Sequence, residues 1–218
     1  MCYHYDAAGN KKALKRFTFL KEGPEYKAIE NANGFSHPKM PIVANNLPNS
    51  IQLFDWGLMP YWADSERANE LKKSTLNAKS ETLFELASFK ESTSKRCLVL
   101  AESFYEWRTE GKRKIPYQIF VKDQEVFAMG GIFSEWKDIK TGKTQNTFSI
   151  ITVPANDMMA YIHNTKQRMP LILPESQALD WLKPNLDKTQ ITALMKPFKS
   201  SEMKATQIRH EGEQYTLF

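Results

Sequence analysis

Apolar residues along this chain fall mostly into short runs bounded by turn formers, with few stretches of helical periodicity. Runs at 41–44, 51–58, 97–101, 104–108, 116–121, 126–133 and 147–153 carry the β-branched and aromatic enrichment of strands. A stretch opening at Ser80-Glu81 spaces Leu83, Leu86 and Phe89 three residues apart, which predicts a helix with Ser80 as its N-cap. Segments 155–162, 174–182 and 188–195 read as further short helices, the second with Pro174 at its first position. The fold class is therefore α+β: a strongly curved, mainly antiparallel sheet or partial barrel with a few short helices. No repeat, low-complexity tract or linker divides the chain, so residues 1–209 are expected to form one domain, with 210–218 a C-terminal tail.

Composition narrows the classes without choosing among them. With 218 residues, 41% of them hydrophobic, the chain can bury a real core, which excludes disorder as its main state. Thirty Lys+Arg against 25 Asp+Glu leave +5, a mild excess that suits a polyanion but also suits an ordinary protein. No apolar run approaches the ~18 residues of a membrane span, and the N-terminus lacks a secretory pattern, so a cytoplasmic monomer with no membrane partner is expected. Two cysteines and four histidines without paired ligand spacing predict no metal and no cofactor. Cys97, inside an apolar run, reads as a buried, inert thiol.

Cys2 offers more. When the initiator Met precedes a small side chain it is commonly removed, which would leave a residue bearing both a free α-amine and a β-thiol. The amine's ordinary pKa of about 7.7–8.0 and the thiol's of about 8.5 leave both usable near neutrality, and an aldehyde is their natural target. The amine condenses to an imine, and the sulfur then closes a five-membered thiazolidine. Position alone also permits an incidental terminal cysteine. Glu106, flanked by Tyr105 and Trp107, becomes a proton-transfer group if buried, because burial raises a carboxyl pKa; on the wet face of a strand it would carry no chemistry. His163 titrates near neutrality and is a second such group, or a helix-end cap. Asn77, ahead of the Ser80 signal, offers an amide oxygen to orient an amine, or is a plain loop residue. The segment Trp56-Gly57-Leu58-Met59-Pro60-Tyr61-Trp62 is too dense in rings for all to enter a core: Trp56 is expected inside, and Trp62 stands between a core site and a stacking platform for bases.

In order along the chain, Met1-Cys2, the WGLMPYW segment, Asn77-Ala78-Lys79-Ser80-Glu81-Thr82, Arg96 to Val99 leading to Phe104-Tyr105-Glu106-Trp107, Phe148 to Thr152, and His163 followed by Arg168-Met169-Pro170-Leu171-Ile172-Leu173 resemble the SOS-response-associated peptidase (SRAP) family. The resemblance implies abasic-site processing: Cys2 as nucleophile toward abasic sites in single-stranded DNA, Asn77 as positioning group, Glu106 as acid/base for ring opening, and His163 as a second shuttle that also assists reversal. It further implies a basic groove contacted by His4, Pro38, Trp62, Lys79 and Arg168, together with lyase and autopeptidase activity. Three departures mark this chain. Cys2-Tyr3-His4 stands where the family reads Cys-Gly-Arg, Lys79 stands for an arginine, and four residues separate His163 from Arg168 where one is usual.

Two other classes use the same residues. An N-terminal-nucleophile amide hydrolase or peptidase would employ Cys2 on peptides, and a non-enzymatic single-strand binder would leave Cys2 incidental. The tail Gln214-Tyr215-Thr216-Leu217-Phe218 fits the Gln-x-x-Leu-Phe form of peptides that dock on the bacterial sliding clamp; Gln214, Leu217 and Phe218 would be its contacts, or the two apolar side chains fold back on their own domain.

Overall fold

The chain opens with strand β1 (His4–Ala7), helix α1 (Asn10–Arg16) and strands β2 (Ile29–Asn33), β3 (Lys39–Ala44) and β4 (Gln52–Trp56). Helix α2 (Ser65–Leu71) and the short β5 (Asn77–Lys79) lead to four long strands, β6 (Arg96–Glu110), β7 (Arg113–Val121), β8 (Phe127–Lys137) and β9 (Thr144–Pro154). Then come helix α3 (Asp157–Ile162), strands β10 (Arg168–Pro170) and β11 (Ile172–Leu173), helices α4 (Glu175–Trp181) and α5 (Lys188–Leu194), and strand β12 (Met203–Gln207). These elements come from a computed structural model that describes residues 2–21 and 23–208.

The sheet closes on itself. β8 pairs with β9, β9 with β4, β4 with β3, β3 with β6, and β6 returns to β8, which makes a small barrel with no free edge along that circuit. Pairings are antiparallel apart from β4 and β5, each parallel to β9. The α+β, strongly curved sheet expected from the apolar runs is the architecture found.

β6 decides where the chemistry can sit. Its first half, Arg96 to Ala101, pairs with β8, and its second half, Phe104 to Glu110, pairs with β7. The sequence suggests two strands here because Glu102-Ser103 interrupts the apolar run. Ser103 nevertheless stays inside the strand: it is fully buried and donates a hydrogen bond to the Asp6 carboxylate, so its polarity is satisfied without breaking the ladder.

The core is aromatic, with Trp56, Trp181, Phe54, Phe104, Phe127, Phe133 and Phe148 fully buried. Trp56 stacks on Phe148 and meets Tyr5 edge-on at 5.1 Å between ring centroids. Cys97 is buried with its thiol pKa pushed up by burial.

Helices α3, α4 and α5 lie where the segments around 155–162, 174–182 and 188–195 place them. The helix expected from Ser80 does not form; only single three-residue turns occur, at Ser80–Thr82 and Lys90–Ser92. Ser80 spends its hydroxyl on the Glu81 carboxylate at 3.0 Å in place of a backbone cap, and Glu81 is drawn to Arg168, so the helical start has neither its cap nor a free first turn. Helices α1 and α2 were not signalled, since each buries a single alanine and so shows no apolar stripe. No described helix is long and apolar enough to cross a membrane. Gln214, Leu217 and Phe218 lie outside the described residues.

Candidate active site

Strand register brings the two ends of the site together. β1 runs antiparallel to β6 with His4 opposite Tyr105 and Tyr5 opposite Phe104, so residues 2 and 3 run on alongside Glu106 and Trp107. Cys2 is fully buried, its Sγ 3.8 Å from the His4 carbonyl. Burial and the neighbouring charge of Glu106 push its thiol pKa up, so the sulfur is held as the neutral thiol.

Asn77 closes the site from the other side. Its Nδ2 donates to the Cys2 carbonyl at 2.9 Å, while its buried Oδ1 has no partner among the described residues. The backbone presenting Asn77 is fixed twice: Leu76 O accepts from Trp56 Nε1 at 2.9 Å and from Ile150 N at 3.1 Å. Gly57, which follows Trp56, is obligatory. Its φ of +119° lies outside the range of L side chains, and a Cβ there would come within 2.7 Å of Lys72 O.

Glu106 and His163 form the proton-transfer pair. Both are buried, and His163 Nε2 lies 3.9 Å from Glu106 Oε2. Burial pushes the Glu106 carboxyl up to about 7. His163 is pushed down to about 4, chiefly by burial, with the Lys166 and Lys114 charges acting in the same sense. The ordinary order is therefore inverted: between about 4 and about 7 the carboxyl holds a proton and the imidazole does not. His163 caps α3, and its Nδ1 lies 3.0 Å from the Arg168 carbonyl oxygen and 3.3 Å from the Arg168 amide nitrogen; the shorter contact suits an Nδ1–H donor, which leaves the Nε2 lone pair toward Glu106.

The residues expected to face DNA are spread around this centre. Lys79 is exposed and shares a strand face with Asn77, two positions away. Trp62 is 46% exposed with its Nε1 donating to Ala87 O, whereas Trp56 is wholly internal. His4 Nδ1 lies 2.9 Å from Asn31 Oδ1, and its ring meets the edge of Trp107. Pro38 is half-buried and accepts a hydrogen bond from Trp56 N. Arg168 differs from these, because its guanidinium forms a bidentate pair with Glu81 and donates to Thr152 O at 2.6 Å. A phosphate there would have to compete with a carboxylate already in place.

Sequence reasoning did not single out Asn164 or Glu81 for the roles they take. Asn164 joins His163 to β6, and its position directly after that histidine is the one signal that points to it. Among the described residues no group of His, Cys, Asp and Glu is disposed to hold a metal ion. A shallow cavity of about 450 Å³ shares no residue with this site; lined by Glu102, Asp123 and Glu125 against Lys204, it would repel a polyanion.

Comparison with known proteins gives the chain's relatives. The family model described as SOS response associated peptidase (SRAP) matches residues 1–213. The abasic site processing protein YoqW of Bacillus subtilis (strain 168) is 35% identical over 196 residues, which span 87% of this chain and 82% of that protein. The abasic site processing protein HMCES of Gallus gallus is 30% identical over 208 residues, covering 83% of this chain but 60% of that longer protein. The crystal structure of a protein from Bacteroides thetaiotaomicron superposes with a TM-score of 0.88 at 40% identity, over 96% of this chain and 93% of the other.

Proposed function

The chain belongs to the SOS response associated peptidase (SRAP) family, and on that premise we propose that it captures abasic sites in single-stranded DNA as a thiazolidine on Cys2. Removal of Met1 frees the Cys2 α-amine. An abasic deoxyribose rests mainly as a closed hemiacetal and must open to its aldehyde before any amine can react. The protonated Glu106 carboxyl donates to the ring oxygen as the C1′–O4′ bond breaks, and neutral His163 takes the C1′ hydroxyl proton. The amine then adds to the aldehyde and expels water, giving the imine. Finally the thiol adds across the C=N bond: sulfur bonds to carbon, and its proton passes to nitrogen, closing the ring. The same groups in reverse order open it, water hydrolyses the imine, and the intact abasic sugar is slowly released.

What supports this reading most is the inverted pair of Glu106 and His163 beside Cys2, the acid and base that sugar opening requires. The raised thiol pKa favours this amine-first route over a peptidase that would attack with a preformed thiolate. Asn77 Oδ1, without a partner among the described residues, suits the freed amine as a hydrogen-bond acceptor. Lys79 and the net charge of +5 suit the phosphate backbone, and the same reading keeps the protein with DNA in the cytoplasm.

The test is direct. Processed protein incubated with a single-stranded oligonucleotide carrying one abasic site should yield a species that survives heat and SDS, and intact DNA should not. Equal, salt-labile retention of damaged and intact strands would leave only a single-strand binder; cleavage of a peptide panel without any DNA adduct would favour the peptidase.

A further inference from the structure

One exposed feature next to the nucleophile has no part in the proton transfers. The rings of Tyr3 and Phe35 lie 4.8 Å apart between centroids, tilted by 38°, and Phe35 is 56% exposed. The turn that carries this exposed ring is held by several hydrogen bonds. Gly34 N donates to Tyr3 O at 2.8 Å, Phe35 N to Asn33 Oδ1 at 3.0 Å, and Ser36 Oγ to Asn33 O at 2.7 Å. Below the turn, Gly34 rests on the buried Trp56 so closely that a Cβ would lie 3.1 Å from the indole. His37, in the left-handed region at φ 51°, ends the turn and places its Nδ1 2.8 Å from Trp56 O. The ring is thus fixed in the open, one residue from Cys2 through its partner Tyr3.

An abasic nucleotide has a characteristic gap. Where the base is missing, the neighbouring base loses its stacking partner and exposes a bare π-face to water. We propose that Tyr3 and Phe35 form a stacking subsite for the nucleobase adjacent to the abasic sugar, Phe35 standing in for the base that is gone. The subsite rests on the crosslinking function proposed above and adds a recognition element to it. It makes the protein sensitive to the flanking base, with a purine, the larger stacking face, preferred. Base-on-aromatic stacking tolerates any base identity, so the preference is graded.

The experiment compares single-stranded oligonucleotides with one abasic site whose 5′ or 3′ neighbour is either adenine or a base-less tetrahydrofuran spacer. At sub-saturating DNA, processed wild-type protein should crosslink the adenine-flanked substrate about 10-fold faster on one of the two sides, the order expected from one base–aromatic stack. Phe35→Ala should slow the adenine-flanked reaction until the ratio approaches 1, and Phe35→Trp should restore it; melting temperatures of both variants show whether they are folded. A ratio near 1 for wild type on both sides, or an unchanged ratio in folded Phe35→Ala, overturns the subsite and leaves the crosslinking function standing. No adduct with any of the oligonucleotides overturns both.

Discussion

Asn164 grips the backbone of Thr109 with both ends of its amide: Oδ1 accepts from Thr109 N at 3.0 Å, and Nδ2 donates to Thr109 O at 2.9 Å. Thr109 lies three residues along β6 from Glu106, and Asn164 directly follows His163. The clamp therefore ties the acid's strand to the base's helix end and sets the spacing of the two groups that must reach the same sugar.

Asn164 is accordingly expected to be a positioning residue. Asn164→Ala should lower the single-turnover crosslinking rate at saturating DNA by about 10-fold, since small misplacement of a proton-transfer group is costly. Half-saturation by DNA should not change. Asn164→Asp, which loses the donor half only, should fall between. A variant that shifted half-saturation and left the saturated rate intact would show that Asn164 serves DNA binding instead.

Glu106 should leave a mark on stability as well as on rate. Its pKa rises from 4.5 to about 7 on folding, so the folded state keeps a proton that the unfolded chain releases between those values. That contribution is complete below pH 4.5 and is lost as pH rises toward 7. Subtracting the unfolding free energy of Glu106→Gln from that of wild type across this range should give a difference that falls with rising pH. His163 has the opposite sign: its pKa drops from 6.5 to about 4, so its contribution is present above 6.5 and lost as pH falls toward 4. The rate should also decline above pH 7 in wild type as the acid is lost, and Glu106→Gln should be slower by ~10² to 10⁴ and flat over that limb.

Arg168 and Lys79 should separate structure from DNA contact. Arg168→Ala leaves Thr152 O and a half-exposed Glu81 without their cation, so it is expected to cost about 1–3 kcal/mol of stability. The salt dependence of single-strand binding should stay as it was. Lys79→Ala should melt like wild type and flatten that dependence by about 0.7, the contribution of one phosphate contact. Salt titrations of both variants by fluorescence anisotropy decide the matter.

Cys2→Ala retains the amine and loses the sulfur. It should give no heat-stable adduct, yet should still be trapped on abasic DNA by borohydride as the reduced imine. Heat-stable adduct at the parental rate would exclude the thiazolidine.

Legibility followed the range of the interactions. Runs such as 126–133 and 147–153 declared strands because one residue type dominates a local stretch; the second lies within β9, and all but Val126 of the first lies within β8. The joining of 97–101 and 104–108 into β6 was hidden, since what keeps Ser103 in the strand is Asp6, 97 residues earlier. The failed helix at Ser80 has the same cause, since the Glu81 that takes up the Ser80 hydroxyl is itself paired with Arg168, 87 residues away. In the site, Cys2, Asn77, Glu106 and His163 carry chemistry that each residue displays by type. Asn164 and Phe35 matter through what they touch, and no local pattern records a contact to Thr109 or Tyr3.

β6 gives the site its mechanical character. The strand carrying Glu106 is the strand that closes the barrel, without a hinge between the two halves. Load applied to a DNA strand joined at Cys2 would be passed through the β1–β6 ladder into the barrel wall, in shear across several hydrogen bonds at once. Such a joint yields only when the β1–β6 hydrogen bonds give way together, so the residue joined to DNA is held by a strand ladder and not by a loose end.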